Sequence, residues 1–173
     1  QSRSSAASDV YKRQVLFTGS VSGGREVKKA IGTRFIGVGL ELGGKDPAYV
    51  RSDCNFEHAV ENLVDGSYFN SGQSCCGIER IYVDEKIYDN FVDAFKAQTE
   101  KYILGNPLDE NTNLGPVVKL SAANNIRNQV SNSIKSGAKN IIDGTKFKND
   151  NSNNCYVSPS ALIDVNHNMS YMT

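Results

Sequence analysis

Two periodicities alternate along this chain, and that alternation restricts its fold more than any other feature. Short apolar runs of strand character stand at residues 15–17, 35–42, 48–50 and 81–83. Between them, apolar residues return every three to four positions. The clearest case is Phe56, Ala59, Val60, Leu63, Val64 and Ser67, the spacing of one helix face, with Asp53 or Asn55 as its cap. Tyr88, Phe91, Val92, Phe95, Thr99 and Tyr102 repeat the pattern, and Gly105-Asn106-Pro107 is the stop signal. A third face (Ala123, Ile126, Val130, Ile134) is opened by Ser121 as N-cap and closed by Gly137. Strand candidates at 140–142 and 156–165 flank a polar loop at 147–154. Strands alternating with helices predict an α/β fold with a largely parallel sheet, because a crossover helix brings the next strand back in the same direction.

Composition narrows the class of function. The 173 residues suffice for one domain or parts of two. Lys plus Arg and Asp plus Glu are 19 each, and the missing basic excess argues against a nucleic-acid partner. Mean hydropathy is −0.42, and no apolar run approaches the ~20 residues of a membrane helix, so no membrane partner is expected. The four cysteines, at 54, 75, 76 and 155, form no C-x-x-C pair. That spacing favours neither a metal site nor a disulfide framework, and a reduced, cytoplasmic setting is the simpler reading. Residues 1–14, rich in Ser, Ala and Arg without periodicity, read as non-native sequence or a disordered arm. Together with the abrupt stop at Met172-Thr173, they suggest an internal piece of a longer protein, truncated at its C-terminus.

Three clusters carry chemistry. In Phe17-Thr18-Gly19-Ser20, with Gly24 four residues on, a strand runs through a glycine turn into a Ser-capped helix from about 23 to 33. A helix N-terminus so built suits an anion, although a plain strand-to-helix turn has the same form. In Glu41-Leu42-Gly43-Gly44-Lys45 a carboxylate ends an apolar strand, at the edge where parallel sheets bind ligands. A salt bridge from Glu41 to Lys45 is the structural alternative. In Phe69-Asn70-Ser71-Gly72-Gln73-Ser74-Cys75-Cys76-Gly77 a thiol sits in a polar loop, a poor place for a structural cysteine and a suitable one for a nucleophile.

The order F-T-G-S-x-x-x-G, E-L-G-G-K, F-N-x-G-Q-x-C resembles the aldehyde dehydrogenase superfamily. Cys75 follows Glu41 by 34 positions, the family's spacing between base and nucleophile. Gly105-Asn106-Pro107-Leu108 and Leu114-Gly115-Pro116-Val117 are similar to two of its loops. The resemblance runs from Val15 to Thr173. It implies an aldehyde-dehydrogenase-like α/β fold, with the end of an NAD(P)-binding domain at 15–40 and a catalytic domain at 41–173. It makes Cys75 the nucleophile and Glu41 the general base. Gly19 and Ser20 would lie against the cofactor's pyrophosphate and Leu42 near the nicotinamide, with Gly24 also among the cofactor-binding residues. Cys76, one place too late for the motif, reads as a small packing residue.

The implied reaction oxidises an aldehyde to a carboxylic acid with NAD or NADP, through a thiohemiacetal and a thioester on Cys75. The family's second oxyanion donor, an Asn side chain, lies upstream of this sequence, so the polypeptide alone is expected to be inactive. A homodimer or homotetramer acting on a small aldehyde is the implied whole. The alternatives are a cysteine acyl-transferase or hydrolase without nicotinamide, or a CoA-acylating relative. Glu41 favours hydrolysis over the latter. A non-catalytic derivative is disfavoured by the intact Cys75 and Glu41. His58 and His167 read as surface histidines, and Cys54 and Cys155 as incidental.

Overall fold

The computed structural model describes residues 13–169 and 171–172, so the reading of 1–14 as an arm lies, up to residue 12, outside the described residues. The chain divides into two compact units, between Gly44 and Lys45.

The first unit is a βαβ element. Strand β1 (Gln14–Gly19) leads into helix α1 (Val21–Ile31), and β2 (Gly37–Leu42) returns parallel to β1, from Gln14 opposite Gly37 to Gly19 opposite Leu42. Helix α1 starts two residues before its expected position. Ser20 caps it, its Oγ accepting the Gly23 N–H at 3.1 Å. Gly32, at φ 55°, ends it in a backbone conformation that glycine adopts without cost. The helix packs closely on β2 because Gly24 has no side chain: a Cβ there would come within 2.9 Å of Leu42 Cδ2. Phe35, read as part of the second apolar run, precedes β2 and is fully exposed.

The second unit opens with another parallel crossover: β3 (Asp46–Val50), helix α2 (Phe56–Tyr68) and β4 (Ile78–Val83). Asn55, rather than Asp53, caps α2 by accepting the His58 N–H. Helix α3 (Tyr88–Thr99) covers α2, and the core forms between them. Val50, Val60, Val64, Phe91 and Phe95 are buried, with the Phe91 and Phe95 ring centroids 5.8 Å apart. Tyr102 lies beyond the end of α3, because the chain tightens into short turns from Lys101 N–H to the Gln98 carbonyl and from Tyr102 N–H to the Thr99 carbonyl. The helix therefore ends before the glycine stop at 105.

Helix α4 (Leu120–Lys135) corrects the assignment of its cap. Lys119 occupies the N-cap position with no side-chain cap bond, and Ser121 falls inside the first turn. The preceding segment is pinned from outside the helix, Val117 N–H to the Cys155 carbonyl and Val118 N–H to Gln73 Oε1, so the helix starts where that tether ends. Ala123 is buried as expected, but Ile134 is exposed. Strand β5 (Lys139–Asn140) pairs antiparallel with β6 (Leu162–Ile163), so the expected strand at 156–165 is paired over two residues only.

The stretch before β6 is organised by polar bonds. Arg127 of α4 donates to Asp150 Oδ1 at 2.8 Å and to the Tyr156 carbonyl at 2.7 Å. Burial raises the Asp150 pKa, but the Ser158 N–H and the Arg127 guanidinium outweigh it and hold the carboxyl below its ordinary value. Among the described residues no helix is long and apolar enough to cross a membrane.

Candidate active site

Cys75 lies in the loop between α2 and β4 of the second unit, and its side chain is exposed. The backbone that delivers it is unusual. Asn70 (φ 50°), Ser71 (φ 58°) and Gly72 (φ 73°) are consecutive residues in the left-handed region. Glycine accepts this freely, while Asn and Ser each cost about 1–2 kcal/mol there. Such a turn persists only where the surroundings hold it.

The surroundings here are the segment 115–118. Ser71 Oγ donates to the Gly115 carbonyl at 2.8 Å. Gln73 Oε1 accepts the Val118 N–H at 2.7 Å, and Gln73 Nε2 donates to the Asn70 carbonyl at 3.1 Å. Asn70 Nδ2 reaches the Gln73 carbonyl at 3.1 Å and closes the turn on itself. At about 1 kcal/mol net for each neutral hydrogen bond, these contacts match the cost of the two strained residues. Beyond the turn, among the described residues, no protein group accepts from the N–H of Ser74, Cys75 or Cys76. These N–H groups belong to the thiol residue itself and its two chain neighbours. Cys76, read as a packing residue, is exposed, with its Sγ 3.3 Å from Ser74 Oγ. The loop borders a cavity of about 180 Å³ that takes in Ser71, Gly72 and Gly77 but neither cysteine.

In the first unit, the C-terminal edge of the β1–β2 pair gathers the other candidates. Gly19 stands opposite Leu42, Glu41 stands opposite Thr18, and Ser20 opens α1 beside them. Glu41 is exposed. This is the strand end at which parallel sheets bind ligands, with a helix N-terminus beside it. Gly24 is buried under Leu42, so it governs how closely α1 approaches the strand. Lys45, the alternative partner for Glu41, donates to Glu79 at 2.6 Å. His58 and His167 are exposed, the latter stacked on Tyr82 with ring centroids 6.4 Å apart.

Sequence reasoning missed the roles of Gln73 and Ser71. Both stand in a motif whose sequence draws attention to its cysteine, and the pattern at 114–117 indicates only a loop. The hydrogen bonds between them span more than forty positions, which no local pattern reveals.

The model of the Aldehyde dehydrogenase family matches residues 6–173. The chain is 36% identical to lactaldehyde dehydrogenase of Escherichia coli over 159 residues, which is 91% of this chain and 33% of that protein. It superimposes with a TM-score of 0.79 and 33% identity on a glyceraldehyde-3-phosphate dehydrogenase of Methanocaldococcus jannaschii complexed with NADP, covering 87% of this chain and 31% of that one. On betaine aldehyde dehydrogenase of Staphylococcus aureus in complex with NAD+ the TM-score is 0.83 at 29% identity, covering 93% and 32%. The chain thus spans about a third of the length of the proteins it matches.

Proposed function

This chain belongs to the aldehyde dehydrogenase family, and from that membership we propose that the whole protein oxidises a small aldehyde to a carboxylic acid with NAD or NADP. The observation that carries the reading is the thiol loop: an exposed Cys75 on a held turn, followed by N–H groups with no protein acceptor among the described residues. Relatives solved with NADP and with NAD+ support the cofactor class.

In this reading the Cys75 thiolate adds to the aldehyde carbon and converts a poor hydride donor into a thiohemiacetal oxyanion. The Cys75 N–H donates to that oxyanion, and loss of one such donor typically costs about 3 kcal/mol in the barrier. A bound nicotinamide supplies the hydride acceptor. Cys75 Sγ then carries the acyl group as a thioester. Glu41 takes a proton from the water that hydrolyses it, and the thiol is released. Gly19, Ser20 and Leu42, at the C-terminal edge of β1 and β2, are assigned to the cofactor, and Gly24 serves by bringing α1 close. The N-terminal turn of α1, capped by Ser20 at the Gly23 N–H, carries the positive end of the helix dipole that fits a pyrophosphate. Residues 15–40 are assigned to the cofactor domain and 41–173 to the catalytic domain, a boundary four residues before the one between the two compact units, so that Glu41 extends from the first unit's strand end into the catalytic assignment. A homodimer or homotetramer in the cytoplasm completes the proposal, and the 173-residue polypeptide by itself is assigned negligible turnover.

The test is aldehyde-dependent NAD(P)H formation by the whole protein and its Cys75→Ser variant. A nucleophile predicts at least a thousandfold loss of kcat in the variant, with the fold retained. Turnover within tenfold of wild type would remove Cys75 from the mechanism.

A further inference from the structure

We infer that Gln73 and Ser71 are positioning residues for Cys75, acting by locking the left-handed turn onto residues 115–118. The inference rests on the reading of Cys75 as nucleophile and adds a cause for its presentation. The Gln73 carboxamide uses both of its ends. Its oxygen takes the Val118 N–H at 2.7 Å, and its nitrogen reaches back to the Asn70 carbonyl at 3.1 Å and forward to the Pro116 carbonyl at 3.5 Å. Ser71 adds the bond to the Gly115 carbonyl. The two side chains thus bracket Gly72 and tie both sides of the turn to one segment.

That segment is itself anchored on its far side, Val117 N–H donating to the Cys155 carbonyl at 2.9 Å. It is therefore a fixed rail and not a second loose loop. With the turn held, the N–H groups of 74–76 have no protein acceptor among the described residues. Without the hooks, Asn70 and Ser71 relax toward ordinary backbone angles and the presentation of Cys75 is lost. Glycine at position 71 would make the left-handed turn stable without a hook, since glycine occupies that region freely.

The experiment follows iodoacetamide alkylation of Cys54, Cys75, Cys76 and Cys155 in the whole protein at pH 7, by peptide mass spectrometry. The part-buried Cys54 and Cys155 report in the same sample on whether the fold survives. Wild-type Cys75 should react faster than Cys76, which is also exposed. Gln73→Met, which keeps the volume without donor or acceptor, and Ser71→Ala should each slow Cys75 about fivefold to tenfold while Cys54 and Cys155 stay slow. Ser71→Gly should stay near wild type, and Gln73→Met combined with Ser71→Gly should recover most of the rate. A rescue of that kind distinguishes positioning from general packing. A fast wild-type Cys75 that neither Gln73→Met nor Ser71→Ala alters overturns the positioning role alone. Equal rates for Cys75 and Cys76 in the wild type overturn the nucleophile reading and this inference with it.

Discussion

Asn70 and Ser71 occupy backbone angles that a sequence pattern does not announce. The motif around Cys75 was legible because its residue types and order are specific. The conformation was not, because it depends on bonds from Ser71 and Gln73 to residues more than forty positions away. Asp150 is a second case. It reads as one more polar residue in an Asn-rich loop, yet it accepts from Arg127 and from the Ser158 N–H. Its folded pKa lies below the unfolded value of about 3.9. A depressed carboxylate contributes stability that is present above the unfolded pKa and is lost as pH falls through the folded pKa. Asp150→Asn should therefore cost about 1–2 kcal/mol near neutrality, a modest figure because about a fifth of each partner is exposed. Urea unfolding should show the gap between variant and wild type narrowing as pH falls below the unfolded carboxylate value of about 3.9. A gap that is constant from pH 7 to pH 3 would remove the linkage.

At the scale of elements, periodicity located helices better than it located their ends. The face from Phe56 to Ser67 lies on α2 and the face from Tyr88 to Thr99 on α3, because buried apolar residues must repeat with the helix turn. The ends follow tertiary bonds instead. Lys119 begins α4 because Val117 and Val118 are already committed to Cys155 and Gln73, so Ser121 has no cap to make. The run at 156–165 is apolar enough for a strand, but Arg127 and Asp150 take its first backbone groups, and only Leu162–Ile163 pairs. The α2–α3 core supports its own prediction. Phe95 is 6% exposed and packs against both Phe91 and Tyr68. Phe95→Ala should lower unfolding stability by about 3–5 kcal/mol, read from the denaturant midpoint. A loss below 1 kcal/mol would mean that this core does not carry the second unit.

For the molecule as a whole, the α/β class and its parallel crossovers were legible from the alternation of periods, and the structure has parallel pairs at β1–β2 and β3–β4. The antiparallel β5–β6 pair was not, since two residues per strand leave no periodic trace. Glu41 and Cys75 belong to different compact units, so the cooperation proposed for them is to be tested in the whole protein. The decisive measurement is a rapid-mixing assay of the whole protein carrying Glu41→Gln, with an aldehyde and NAD(P), followed by mass analysis of the Cys75 peptide. A nucleophile at 75 and a hydrolytic base at 41 predict one burst of NAD(P)H per active site, a slow steady rate, and an acyl group retained on Cys75. Steady turnover at the wild-type rate, or an acyl group on any residue other than Cys75, would contradict the account.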